Sequence, residues 1–235
     1  EADAARQAGG ELRRVAEVPD GDTIHLADGT EVRLIGVNAP EVAQRDDPAE
    51  PGGPEAARFL RDLLDDKRVR LMPGEQRRDD YDRLLAHVTT ADGTDVNKRL
   101  LRAGHAFAVP HPPNTERTQA YGEAERAARK AQRGLWRHDH YAVHPSAEAG
   151  DMRNTFRRLR GRVVESDPAR KYHYIAFASG LRAYLNRKQE EVFTRAGRSP
   201  AALVGRTVVV RGWVHQRDGD PIIHLRHPAQ IEAVE

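Results

Sequence analysis

The residues best suited to chemistry fall in three short stretches. Asp20-Gly21-Asp22 sets two carboxylates either side of a glycine, where a strand-like run begins. Glycine lets the backbone bend and come close to a ligand. Carboxylates suit a hard cation such as Ca²⁺, which takes about six to eight oxygens. Alone, Asp-Gly-Asp is more often an ordinary turn. The second stretch is VRLIGVNAPE, residues 32–41. Arg33 lies in a run joined to the Asp22 run through Ala27-Asp28-Gly29-Thr30, a hairpin signal, so both can face one pocket. Pro40 makes Ala39 extended. That frees the Ala39 carbonyl to face a cation, with Glu41 pointing into the same space. The third stretch is RRDDYDRLLA, residues 77–86, with Arg83 opening another strand. Each residue alone reads as well as a surface ion pair. As a set they suit phosphoryl transfer. Two guanidinium forks match the equatorial oxygens of the transition state, a carboxylate can take a proton from water, and a cation can polarise the phosphoryl oxygen.

The elements that must position these residues are legible in outline. Residues 1–10 (EADAARQAGG) lack a periodic apolar face and read as a flexible leader. ELRRVAEV, DTIHL and EVRLIGV read as strands. Residues 42–54 form a polar loop dense in Pro and Gly. Pro54 suits the first turn of a helix whose Ala56, Phe59, Leu60, Leu63 and Leu64 share one face. VRLM and LLAHVTT follow as strands, then DVNKRLLRA as a short helix stopped by Gly104. A longer helix spans 115–133, with an alanine stripe at Ala120, Ala124, Ala127, Ala128 and Ala131 and Gly134 as its expected left-handed terminator. Residues 142–154 read as a linker. GRVVES, KYHYIAFAS, RTVVVRGWVHQ and PIIHLRHPAQIEAV then read as strands around one helix, LNRKQEEVFTRAG.

The expected fold class is therefore α+β, mainly β. Residues 11–141 form a five-stranded OB-like barrel with three helices, and residues 155–235 form a second small OB-like barrel. With 235 residues the chain has room for one large or two small domains. No stretch approaches the ~20 apolar residues of a spanning helix, so no membrane partner is expected. The absence of cysteine removes disulfides, thiol nucleophiles and thiolate metal sites. Charge is uneven. Residues 1–145 carry 22 Lys and Arg against 26 Asp and Glu, a net −4, and residues 146–235 carry 16 against 10, a net +6. An acidic half that must approach phosphate makes sense if a cation belongs to the site, and a basic half favours polyanions.

DGDTIHL, VRLIGVNAPE, PGGPEA, RRDDYDRLLAHV, DVNKRLLRAGHA and the closing Y-x-x-AE-x-x-AR-x-x-x-RGLW resemble the staphylococcal nuclease family, in its order and spacing, over roughly residues 11–137. The resemblance implies Asp22, Asn38 and the Ala39 carbonyl as Ca²⁺ ligands, with Asp20 a second carboxylate behind them. It implies Glu41 as general base, Arg33 and Arg83 on the scissile phosphate, and Tyr81 close to that phosphate. It further implies calcium-dependent hydrolysis of DNA and possibly RNA by in-line water attack, leaving a 3′-phosphate. No small-molecule cofactor is expected, and the chain is expected to act as a monomer. The resemblance favours a secreted or periplasmic protein, cytoplasmic otherwise. Three departures stand out. Asn38 replaces a frequent Asp, Asp82 stands where Gly is usual, and Ala106–Pro110 lacks tyrosines that some members place against a base.

The second half offers Trp213, Arg211, Arg217 and Arg226 as an aromatic and cationic surface for single strands. The alternative is a core Trp213 with solvated arginines. His215, His224 and His227 match no compact zinc spacing, and His138, His140 and His144 read as loop residues. Two other functions stay open: a catalytically weak or inactive nucleic-acid-binding module on a nuclease barrel, and a protein-docking role for the basic half.

Overall fold

The computed structural model describes residues 11–43, 48–64, 67–152 and 154–235. The expected leader, residues 1–10, lies outside them. The chain divides into two compact units, residues 1–138 and 139–235.

The first unit runs β1 (Arg13–Glu17), β2 (Thr23–Leu26), β3 (Glu31–Leu34), β4 (Val37–Asn38), α1 (Gly53–Leu64), β5 (Arg68–Arg78), β6 (Leu84–Thr90), α2 (Val96–Ala103), β7 (Phe107–Ala108) and α3 (Thr118–Lys130). Strands β1-β2-β3-β6-β5 close into a barrel. Only the β3–β6 pairing is parallel, with Arg33 opposite Leu85. The Asp28-Gly29 hairpin forms as the sequence predicts, with Gly29 at φ 85° and Thr23 opposite Arg33. The barrel core is Ile24, Val32, Leu34, Val69 and Val88, and the Leu60 and Leu64 face of α1 packs on it.

Helix α2 is capped at both ends by its own sequence. The Asp95 side chain accepts from Lys98 N, and Gly104 takes the left-handed conformation at φ 80°. Gly134 does not terminate α3. The helix ends at Lys130 with Ala131 as its C-cap, and Gln132 takes a positive φ of 48°. Gly134 is needed for contact instead: a β-carbon there would lie 2.2 Å from the Gly104 carbonyl oxygen, and one on Gly104 would lie 2.3 Å from the Arg133 carbonyl oxygen. The two backbones approach so closely that neither position has room for a side chain.

The second unit runs β8 (Val143–Pro145), β9 (Thr155–Pro168), β10 (Tyr172–Phe177), β11 (Arg182–Asn186), α4 (Glu190–Arg195), α5 (Pro200–Leu203), β12 (Thr207–Arg217), β13 (Asp220–His224) and β14 (Ile231–Val234). β9-β10-β11-β13-β12 also closes, through the β12–β9 pairing, and β11–β13 is parallel. Both units thus share one strand order: first, second, third, fifth, fourth and back to the first. With a helix between the third and fourth strands, this is the OB arrangement.

Two local expectations are corrected. Residues 142–154 are not a plain linker: Val143–Pro145 pairs in parallel with β9, and Ser146–Asp151 forms a 3-10 turn with Ala149 in the core. Their short, polar composition hides this, because among the described residues of this stretch only Ser146 and Ala149 are buried. The LNRKQEEVFTRAG helix is also shorter than expected. Its first two residues complete β11, Arg187–Gln189 is a 3-10 turn, and only Glu190–Arg195 is α-helical.

Candidate active site

Asp22 immediately precedes β2 and is almost wholly buried. Its position follows from the residues around it. Asp20 Oδ1 accepts from the Asp22 amide at 3.0 Å, tightening the turn. A β-carbon at Gly21 would sit 2.5 Å from that of Ala39 and 2.7 Å from that of Ala56. The glycine between the two aspartates is therefore required by close packing against α1 and the β4 exit.

Arg33 reaches across the hairpin. Its Nη2 lies 3.0 Å from Asp22 Oδ2 and donates to Asn38 Oδ1 at 2.7 Å. Its Nη1 donates to the Leu34 and Val37 carbonyls, each at 2.9 Å. The guanidinium is thus fixed by four acceptors, with the side chain 15% exposed. The Ala39 amide donates to Asp22 Oδ2 at 2.6 Å, and Asn38 Nδ2 donates to the Ala39 carbonyl at 2.9 Å. Asp22, Arg33, Asn38 and Ala39 therefore form one bonded group, brought together from β2, β3 and β4.

Glu41 stands at the rim. Its amide donates to Glu50 Oε2 at 3.0 Å, and its carbonyl accepts from the Glu50 amide at 2.9 Å. Gly53 lets α1 begin against this segment, since a β-carbon there would meet the Glu41 carbonyl oxygen at 2.1 Å. Sequence reasoning misses Glu50. It sits in a Pro/Gly-rich loop, where a carboxylate gives no periodic signal.

The group is electrostatically crowded. Burial pushes the Asp22 carboxyl up to about 6 against the opposing pull of Arg33, and Asp20 adds to the rise. Glu41 is raised by burial first, then by the charges of Asp22, Asp20 and Glu50. Carboxylates that raise one another in this way favour an added cation. The donors near Asp22 are oxygens, as a hard cation prefers. Asn38 Oδ1 and the Ala39 carbonyl each hold one hydrogen bond and keep a second lone pair. The residues fit a calcium-like ion, with Asp22 as the charged donor and two neutral ones beside it. Among the described residues, no group of three or more His, Cys, Asp or Glu is arranged to hold a metal.

Arg83 lies apart from this group in its bonding. Its Nε and Nη2 both reach Asp79 Oδ2 at 2.8 Å, while Asp79 Oδ1 accepts from the Tyr81 and Arg83 amides at 3.0 Å. Burial pushes Asp79 up, but the hydrogen bonds from Arg83 and Tyr81 prevail and hold it below its ordinary value. Tyr81 is 81% exposed, with the Arg83 guanidinium 5.4 Å from its ring centre. Asp82, the residue at the usual glycine position, does not hold or oppose Arg83. It takes φ 65° and pairs with Arg78 at 3.1 Å; Asp79 is the carboxylate that engages Arg83. In sequence Arg83 immediately precedes β6, the parallel neighbour of β3, where Leu85 stands opposite Arg33.

The tyrosine-free Ala106–Pro110 segment contributes structure. Phe107 is buried edge-on to Trp136 at 5.8 Å, and the Ala108 amide donates to buried Glu125 at 2.6 Å. In the second unit, Arg211 is buried and bonded to Glu232 at 3.0 Å, and half-buried Trp213 packs on Phe156 at 5.1 Å. Arg211 is therefore not part of an open binding surface.

The first unit is similar to known proteins. A family model described as Staphylococcal nuclease homologue matches residues 31–138, ending where the first unit ends. A thermonuclease of Staphylococcus intermedius is 38% identical over 130 residues, 54% of this chain and 77% of that protein. A thermonuclease of Staphylococcus hyicus is 35% identical over 127 residues, 52% of this chain and 74% of that protein. Endonuclease YhcR of Bacillus subtilis is 34% identical over 134 residues, 52% of this chain and 11% of that protein.

Proposed function

The chain belongs to the staphylococcal nuclease family and is a phosphodiester hydrolase acting on nucleic acid, and from that premise we propose a calcium-dependent, single-displacement cleavage centred on Asp22, Arg33, Glu41 and Arg83. The observation that carries this reading is the bonded group of Asp22, Arg33, Asn38 and Ala39, with Glu41 at its rim.

Asp22, Asn38 Oδ1 and the Ala39 carbonyl would hold Ca²⁺, which would supply positive charge against a phosphoryl oxygen. Arg33 is held rigidly by backbone carbonyls, so it offers preorganised positive charge without reorganising during the reaction. Glu41 takes a proton from the attacking water, and its raised affinity for protons suits that task near neutral pH. The water oxygen bonds to phosphorus, and the bond from phosphorus to the 5′ oxygen breaks. The leaving oxygen gains a proton, giving a 5′-hydroxyl and a 3′-phosphate. Arg83 moves from Asp79 onto the phosphate when substrate arrives, exchanging one anion for another. Tyr81 stands beside that exchange.

Product analysis tests this reading. A defined oligonucleotide with one phosphorothioate of known configuration is cut with Ca²⁺ in heavy-oxygen water, and the ends and the configuration of the labelled thiophosphate are read. A 3′-phosphate with inverted phosphorus is expected. A 3′-hydroxyl, or retention of configuration, would contradict it.

A further inference from the structure

The second unit presents an outward row of aromatic side chains on adjacent strands. Alternation along β10 buries His173, Ile175 and Phe177 and turns Tyr172 and Tyr174 outward. On β11 it buries Ala183 and Leu185 and turns Arg182 and Tyr184 outward. Register sets Tyr174 opposite Tyr184, and Tyr184 opposite His224. Tyr184 and His224 stack at 4.6 Å and 6°. Tyr174 lies 6.0 Å from Tyr184, and Tyr172 lies 5.2 Å from Tyr184. All four residues are half-buried.

Charge borders this row unevenly. Lys171 lies 5.2 Å from the Tyr172 ring. Exposed Arg182, Arg217, Asp218 and Asp220 line a cleft of about 230 Å³ together with Tyr174 and Tyr184, and Arg217 lies 3.8 Å from Asp218. Burial, with Tyr172 beside it, raises the Tyr184 hydroxyl above its ordinary value, against the opposing charges of Arg226 and Arg217. Across β10, Asp167 stands opposite Tyr174 and Glu165 opposite Ala176.

We infer that this face of β10, β11 and β13 binds single-stranded nucleic acid. Open aromatic rings accept bases by stacking whatever their identity, and the cations along the Arg182, Arg217 and Arg226 side follow the phosphates. Asp167 and Glu165 on the opposite border would face the second phosphate row of a duplex, and like charge there disfavours it. The unit's net charge has the sign that a polyanion requires: residues 139–235 carry 16 Lys and Arg against 11 Asp and Glu, a net +5. The proposal stands on these residues alone and does not need the catalytic assignments of the first unit.

Fluorescence anisotropy of the full chain in chelator, with a labelled 12-nucleotide oligothymidylate, tests it without cleavage. The double substitution Tyr174→Ala and Tyr184→Ala is expected to weaken binding by about tenfold or more, and Tyr174→Phe with Tyr184→Phe should restore most of it. Arg217→Glu with Arg226→Glu, both on exposed positions, should weaken binding and flatten its salt dependence. Ca²⁺-dependent cleavage of a tetranucleotide should persist in every variant, which reports the first unit separately. Unchanged affinity in the folded alanine variant, failure of the phenylalanine variant to restore binding, or equal affinity for a duplex of the same length would overturn the proposal.

Discussion

Residue types and motif order make most of the candidate site legible, because close packing leaves few options at the positions concerned. Gly21 separates two aspartates where Ala39 and Ala56 leave no room for a β-carbon. Arg33 can be placed opposite the Asp22 strand from the hairpin alone. The partner of Arg83 cannot, because Asp79, Asp80 and Asp82 all lie within four residues of it and give no signal of which one turns inward. The structure selects Asp79, whose second oxygen caps two amides. Two outcomes follow at this scale. Asn38→Asp adds a charge to a donor set that has only Asp22, so the Ca²⁺ concentration for half-maximal cleavage should fall. A calcium titration of activity reads it, and a rise would exclude Asn38 from the metal site. Asp22→Asn should change stability in a pH-dependent way. The folded chain holds the Asp22 proton up to pH about 6, while the unfolded chain releases it near 3.8. Stability from this group therefore falls as pH rises through that window. In chelator the substitution should stabilise the chain by on the order of 2 kcal/mol at pH 7 and by almost nothing at pH 4. Thermal melts at the two pH values check it, and equal effects at both would refute it.

At the scale of elements, strands with turn chemistry between them are the easiest to read. The Asp28-Gly29 hairpin and the β6 strand fall where the sequence puts them. The end of β11 reads as helix, because Leu185 and Asn186 continue smoothly into a charged helical run. Its alternation, Arg182 out, Ala183 in, Tyr184 out, Leu185 in, is clear only once β13 is seen to pair with it. Parallel pairing between distant segments leaves no local mark, and this also hides β8. Helix α2 carries the most testable local design. Asp95 caps it and also binds Arg117 at 2.8 Å, so Asp95→Ala should cost about 1–2 kcal/mol. Gly104→Ala should cost about 2 kcal/mol or more, because it combines a left-handed conformation with a clash at the Arg133 carbonyl. Urea denaturation of both variants measures this, and a Gly104→Ala chain as stable as the parent would contradict the interlocked turn.

For the molecule as a whole, one strand order is used twice with opposite charge balance. The unit carrying the candidate active site is the acidic one, and its crowded carboxylates make sense with a divalent cation. The basic unit suits the polyanion that the acidic one must cut. Composition carries this asymmetry but not its meaning. The same excess of arginine includes buried Arg211, an internal ion pair, and exposed Arg217 and Arg226 on the tyrosine face. The central claim is that the Asp22–Arg33 group is a calcium-dependent phosphodiesterase site. Hydrolysis of labelled single-stranded DNA, with Ca²⁺, with Mg²⁺ and with chelator, beside an Arg33→Ala chain of unchanged circular dichroism, tests it most directly. Cutting with Ca²⁺ that stops in chelator and falls by about a hundredfold or more in the variant is the predicted result. Equal cutting in chelator, or by the Arg33→Ala chain, would contradict the account.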